Sequence, residues 1–244
     1  MKDEDWSRLC RTIHQNKCIL FIGQEFPVYH KENGDEKLTN FNKILSKFLI
    51  SEIEKFESVP ERVIHGLKDK EFSQISREYI KYKHLGNKEL SRDDLGDIVS
   101  EYFATEKSNF SAPEFSSLIK ELPITFIVDT NFSNFFLEKA ESNKNTRRSK
   151  NFTSDFYNFK GDYKDMVESD EDLGNLDTPF FYNLFGHTDK LDSMVLSEYE
   201  WIEFVISLIS KNPGLPKVNW SRMMIGISYL SVSESFLETG ILEF

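Results

Sequence analysis

Long apolar runs are missing from this 244-residue chain. None approaches the about 20 residues needed to span a membrane. The first residues, Met1-Lys2-Asp3-Glu4-Asp5, are acidic and lack the apolar core of a secretion signal, so a cytoplasmic location is expected. Cysteine is scarce. Cys10 and Cys18 cannot make a four-cysteine zinc site or a disulfide framework, and both read as small core residues. His14, His30, His65 and His84 show no ligand spacing with cysteine or with each other, so no metal is expected. Positive charge is in deficit, with 30 Lys and Arg against 41 Asp and Glu and a net charge of −11. Such a surface repels phosphate backbones and anionic lipid, which argues against nucleic-acid and membrane partners. Internal repeats and low-complexity tracts are also lacking. What the chain does have is apolar material: 39% hydrophobic residues, 22 of them Phe, enough for a proper core.

Periodicity divides the chain into strands and helices. Trp6, Leu9, Cys10 and Ile13 fall on one helical face. Cys18-Ile19-Leu20-Phe21-Ile22 is a continuous apolar run ending at Gly23, too short for a helix, and is expected to be a strand buried on both faces. A loop with Pro27, Asn33 and Gly34 is expected next. Helical spacing then recurs through 40–122. Its faces are Phe41, Ile44, Leu45, Phe48, Leu49 and Phe56; Phe72, Ile75, Tyr79 and Ile80; Leu95, Ile98, Val99, Tyr102 and Phe103, opened by Ser91; and Phe115, Leu118, Ile119 and Leu122. A second strand is expected at 124–128, followed by a helix carrying Phe132, Phe135, Phe136 and Leu137. Residues 141–178 read as a polar surface excursion with one or two weak strands near 152–159. A third strand is expected at 180–185. Ser197 and Glu200 then match a capping box before a helix whose apolar face is Trp201, Ile202, Val205, Ile206 and Ile209. A fourth strand is expected at 223–225.

Strands alternating with helices imply an α/β fold with a doubly wound, mostly parallel sheet of Rossmann type. Ligands of such sheets sit at the carboxyl ends of the strands. Gly23, Thr130, Asn131, Gly186, His187, Gly226 and Ser228 are thus expected on one rim.

Four segments in this order resemble the SIR2-like family, the sirtuin-type NAD-binding fold, over about residues 5–235. Cys18-Ile-Leu-Phe-Ile-Gly-Gln-Glu-Phe-Pro27 stands where the family has an apolar strand and a Gly-Ala-Gly-x-Ser loop. Val128-Asp-Thr-Asn-Phe-Ser-Asn134 resembles its Thr-Thr-Asn-Tyr-Asp segment. Tyr182-Asn-Leu-Phe-Gly-His187 with Ser193-Met-Val-Leu-Ser-Glu198 is similar to its Leu-His-Gly segment and following Val-Leu-Thr-Glu helix start. Met224-Ile-Gly-Ile-Ser228 is similar to its late Ile-Gly-Tyr-Ser strand end. The resemblance is nearest to the bacterial group attached to antiphage-defence proteins, which lacks the zinc ribbon of the deacetylases. In that group the domain often cleaves NAD⁺ to nicotinamide and ADP-ribose, and often forms the N-terminal part of a larger sensor. The resemblance therefore implies one SIR2-like domain over 1–244, with 40–122 as a helical insertion. It implies NAD as the cofactor, and further domains or protein partners. The abrupt end at Phe244 leads to the expectation of a longer protein. The oligomeric state stays open, a homo-oligomer included.

The residues that would carry the chemistry are thinned. A glycine-rich loop lets backbone N–H groups approach a pyrophosphate. Here Gly23 is followed by Gln24 and Glu25, and a carboxylate about 4 Å from a phosphate costs about 4 kcal/mol at an effective dielectric of about 20. Asn131 matches the family's catalytic Asn, and equally suits a helix N-cap. The Asp expected two residues on is Ser133. The family's His is Phe185. His187, two residues further along an extended chain, would face the same side and could reach the pocket. Gly226 and Ser228 would line the ribose side. Three departures in one pocket, Glu25, Ser133 and Phe185, lead to a catalytically weak or inactive scaffold or sensing module of a defence-type protein. The alternatives are an NAD⁺ glycohydrolase using Asn131 and His187, and a binder of another nucleotide or second messenger. Deacetylation is disfavoured by the missing zinc module.

Overall fold

Two-residue alternation within the short apolar runs builds the centre of the molecule. The computed structural model describes residues 3–15, 18–32, 34–84, 87–113, 115, 119, 121–142, 151–161, 174–210 and 215. In chain order these contain α1 (Asp3–His14), β1 (Ile19–Ile22), β2 (Val28–Glu32), β3 (Asp35–Thr39), α2 (Phe41–Ile53), α3 (Glu61–Leu67), α4 (Phe72–Lys83), α5 (Lys88–Glu106), β4 (Phe110–Ser111), β5 (Phe126–Asp129), α6 (Phe135–Ser142), β6 (Thr153–Phe156), β7 (Phe180–Asn183) and α7 (Glu198–Ser210).

β1, β5, β7 and β6 form a four-stranded parallel sheet in that order. Register sets Leu20, Ile127 and Phe181 side by side, and Ile19, Phe126 and Phe180 likewise. Successive side chains leave opposite faces, so the two rows enter different cores. Leu20, Ile22, Ile127 and Phe181 pack under α2, α4, α5 and α6, through Leu45, Ile75, Val99 and Phe136 among others. Ile19, Phe126, Val128, Phe180 and Tyr182 pack under α7 through Phe204, Trp201 and Val205. Burial on both faces is why these strands read as unbroken apolar runs. The result is an α/β architecture with helices on both sides of a parallel sheet, compatible with a Rossmann-like fold. No helix among the described residues is long and apolar enough to cross a membrane.

Several expectations need correction. Gly34, in the expected loop, lies in the turn of a hairpin: β2 pairs antiparallel with β3, Glu32 opposite Asp35, and also with β4. Gly34 has φ +90°, and an Asn-Gly pair between strands is a strong hairpin signal. The strand expected at 124–128 begins and ends later, at Phe126 and Asp129, and the one expected at 180–185 ends at Asn183. The weak strand near 152–159 is β6, a full member of the sheet. α5 starts at Lys88, where the Asn87 side chain accepts from the Leu90 N–H; Ser91 lies inside the helix and donates to the Asn87 carbonyl. Cys10 is exposed, whereas Cys18 is buried. On α7, Ile202, Ile206 and Ile209 are exposed; Glu200, Phe204 and Ser207 are the buried residues. The strand expected at 223–225, with Gly226 and Ser228, lies outside the described residues.

The capping box at the start of α7 forms as expected and carries more. Ser197 Oγ accepts from the Glu200 N–H (3.4 Å), and Glu200 Oε2 accepts from the Ser197 N–H (3.1 Å) and the Leu196 N–H (2.9 Å). Its other oxygen meets Arg92 Nε of α5 at 2.5 Å and Lys160 Nζ at 3.4 Å. Arg92 also donates to the carbonyls of Leu191 (2.7 Å) and Met194 (2.9 Å). Gly96, one turn on, leaves room for this: a Cβ there would lie 3.1 Å from Arg92 Nη1 and 3.5 Å from Leu191 Cβ. One guanidinium thus ties α5 to the whole connection from β7 to α7. Removing one partner of a buried ion pair leaves the other uncompensated. Arg92→Met is therefore expected to destabilise the protein by on the order of 3 kcal/mol in chemical denaturation. Adding Glu200→Gln, which keeps the cap and removes the stranded charge, should restore part of the loss.

Candidate functional site at the carboxyl rim of the sheet

The in-register strand ends Ile22, Asp129, Asn183 and Phe156 bring the loops after β1, β5 and β7 together. Thr130 begins the rim: its N–H and Oγ1 both donate to the Ile22 carbonyl, at 3.0 and 3.2 Å. Gln24 then spans from the β1 loop, its Nε2 donating to the Thr130 carbonyl at 3.2 Å. Gly23 accepts from the Phe26 N–H and closes a tight turn. Glu25 is drawn toward α2 rather than across the rim. Its carboxylate accepts from Asn40 Nδ2 (2.5 Å) and Asn42 Nδ2 (2.7 Å), while Asn40 Oδ1 caps α2 by accepting the Lys43 N–H.

The centre of the rim is a buried polar cluster that periodicity does not reveal. Asp129, 1% exposed, ends β5 and accepts on Oδ1 from both the Asn131 N–H (2.9 Å) and Asn131 Nδ2 (2.6 Å). Burial pushes its carboxyl from the ordinary 3.8 up to about 7, against the lowering effect of the two Asn131 hydrogen bonds. The Asn131 side chain is thus turned to Asp129 rather than to the helix that starts at Phe135, and Ser133 Oγ accepts from the Phe135 N–H. Asn183, at the end of β7, donates through Nδ2 to the Asn131 carbonyl at 3.1 Å. Asp129 and Asn183 are the site residues sequence reasoning missed. The available signal was a polar residue closing each of two adjacent buried strands.

His187 does not share a direction with Phe185. The strand stops at Asn183, and Gly186 turns the chain with φ +85°, so alternation no longer applies. Phe185 packs edge-on against Trp201 and Phe204 of α7. His187 is 5% exposed and stacks on Phe156 at 5.8 Å. The Thr188 N–H donates to the Phe132 carbonyl at 2.8 Å, which docks this loop on the one that carries Asn131. His187 Nδ1 accepts from the Asp189 backbone N–H at 3.1 Å, and its own N–H donates to Ser193 Oγ. Nδ1 also lies 3.3 Å from the Asp189 carboxylate, so Asp189 engages this nitrogen through both its backbone and its side chain. Burial lowers the ring's pKa from 6.5, opposed by the charges of Asp189 and Glu138. Asn131 Oδ1 and His187 Nε2 are both buried without a hydrogen-bond partner among the described residues. The rim thus holds two such polar atoms on two docked loops.

The structure brings Gly23, Gln24, Thr130, Asn131, Ser133, Gly186 and His187 to one rim, with Glu25 tethered at its edge. Gly226 and Ser228 lie outside the described residues. Among those residues no cluster of His, Cys, Asp or Glu is arranged to hold a metal. No protein-family model matches the chain, and no curated protein matches it.

Two measurements check this geometry. Between about pH 4 and pH 7 the folded state binds a proton at Asp129 that the unfolded chain has lost, so stability falls as pH rises through that window. The span from 3.8 to about 7 corresponds to roughly 4 kcal/mol. Asp129→Asn should flatten that part of the stability–pH curve. Gly186→Ala should be strongly destabilising by thermal denaturation, because a Cβ would sit 2.0 Å from the Ser193 carbonyl oxygen at a positive φ.

Proposed function

We propose that this chain is a SIR2-like domain that has kept a nucleotide-type ligand site while losing most of its hydrolytic chemistry, and that it serves as a scaffold or sensing module of a bacterial defence-type protein. The observation that carries this reading is the position of Phe185. It stands where the family has its His, and it packs edge-on against Trp201 and Phe204 of α7, so it brings no acid–base group to the rim. His187 Nε2 is buried without a partner among the described residues and is left for a ligand. Asn131 Oδ1 is a second such atom. The capture of Glu25 by Asn40 and Asn42 supports retained binding, since it draws the carboxylate from the loop where phosphates would lie. The family motif order, with 40–122 as an insertion between the first two sheet strands, supports the family assignment.

A second reading, an NAD⁺ glycohydrolase, draws support from Asp129. A carboxyl titrating near pH 7 beside Asn131 has the proton affinity of a general base. NAD⁺ is the probe that separates the two. Under the favoured reading NAD⁺ raises the unfolding temperature, and nicotinamide release stays at the uncatalysed rate in wild type and in Asn131→Ala alike. Robust release that is lost in both Asn131→Ala and Asp129→Asn would establish the hydrolase instead. A thermal-shift panel in which other nucleotides stabilise and NAD⁺ does not would redirect the same site to a different nucleotide or second messenger.

A further inference from the structure

We propose that Asp129 is the positioning residue of this rim and that its charge state selects which group Asn131 presents: the amide oxygen when Asp129 is ionised, the amide nitrogen when it is protonated. Ionised, the carboxylate can only accept. It takes the Asn131 backbone N–H at 2.9 Å and Nδ2 at 2.6 Å on the same oxygen. The amide is thereby locked with its NH₂ inward, and Oδ1 is left without a partner among the described residues. When the carboxyl gains a proton it becomes a donor that still has lone pairs. The backbone N–H, which cannot rotate away, is still accepted. With the proton on the oxygen that faced Nδ2, the new O–H donates to the Asn131 amide oxygen. The amide turns by half a revolution about its last side-chain torsion, and Nδ2 takes the place that Oδ1 held, so the hydrogen bond lost is replaced by one of opposite direction.

The surroundings leave this exchange to Asp129. Its sheet partners on β1 and β7, Ile22 and Asn183, do not ionise. Ionisable groups on the described elements around it include Glu25 after β1, Tyr182 on β7, His187 and Asp189 after β7, and Glu138, Lys139 and Glu141 on α6. Glu25 is held by two asparagine amides, Tyr182 is raised further above its ordinary value by burial, and His187 is shifted toward the neutral form. The shift of Asp129 itself arises from burial, so the exchange falls near neutral pH. The consequence for ligands rests on reading this rim as a ligand site. Above the midpoint Asn131 takes a ligand group that donates an N–H or O–H to it. Below it, Asn131 takes a ligand group that accepts.

The test follows the carboxyl carbon of Asp129 and the side-chain amide of Asn131 by NMR between about pH 5 and pH 9. The expected result is one shared midpoint near pH 7. In Asp129→Asn, whose amide oxygen accepts both bonds without charge, the Asn131 resonances should not titrate. With NAD⁺ as the probe, calorimetry one unit either side of the midpoint should give dissociation constants about tenfold apart in wild type, the worth of one hydrogen bond. They should differ less than about twofold in Asp129→Asn. An Asn131 amide that ignores the titration of Asp129, or an Asp129 midpoint at the ordinary value, would overturn the proposal, and that wild-type measurement stands even if the variant does not fold. NAD⁺ that fails to bind at any pH, while the two resonances titrate together, would instead remove the ligand reading and leave the exchange intact.

Discussion

The buried pair of Arg92 and Glu200 holds together the parts of this molecule that matter for the site. Arg92 stands on the helical layer over one face of the sheet, and Glu200 on the helix that covers the other. Between them the guanidinium also takes two carbonyls from the connection that carries Gly186 and His187. Glu200 in turn starts α7 by accepting its first N–H groups. A single charge contact therefore braces both layers and the loop that closes the rim. Such a pair adds little net stability over an apolar one, but it punishes every arrangement that separates its members. That makes it a device for fixing where the loop goes.

The rim has a corresponding internal logic. A buried carboxylate is costly unless its lone pairs are met, and Asn131 meets those of Asp129 through two N–H groups. The same two bonds decide which end of the Asn131 amide remains for a ligand. On the neighbouring loop Asp189 engages His187 Nδ1 through its backbone N–H and its carboxylate, and Nε2 is left without a partner among the described residues. In both cases an Asp two residues away in the chain determines which side-chain atom is left over.

The legibility of the fold varied with the physical signal available. β1, β5 and β7 stand out because strands buried on both faces must be apolar throughout, and α2 and α4 because their buried faces recur at helical spacing. The hairpin of β2 and β3 was hidden because its residues are largely polar and half exposed, although Asn33-Gly34 marked its turn. β6 was nearly invisible, since Thr153-Ser-Asp-Phe156 lacks an apolar run and is held in the sheet by β7. On α7 Trp201 and Val205 pack on the sheet as their spacing suggested, with Phe204 between them, whereas Ile202, Ile206 and Ile209 are exposed. Phe185 and His187 were expected to point alike because the strand was taken to continue; Gly186 ends that alternation.

By itself, the sequence determined the class of the protein: an acidic chain poor in cysteine, with short apolar runs separated by helical patterns, builds a parallel sheet between helices. It also pointed to Gly23, Thr130, Asn131, Gly186 and His187 at the carboxyl rim, because strand ends in a parallel sheet converge. Only the tertiary structure added Asp129 and Asn183 and decided how these residues are engaged. The direction of Glu25, the burial of His187, the orientation of the Asn131 amide and the proton affinity of Asp129 depend on contacts and burial. Spacing along a chain carries no record of either.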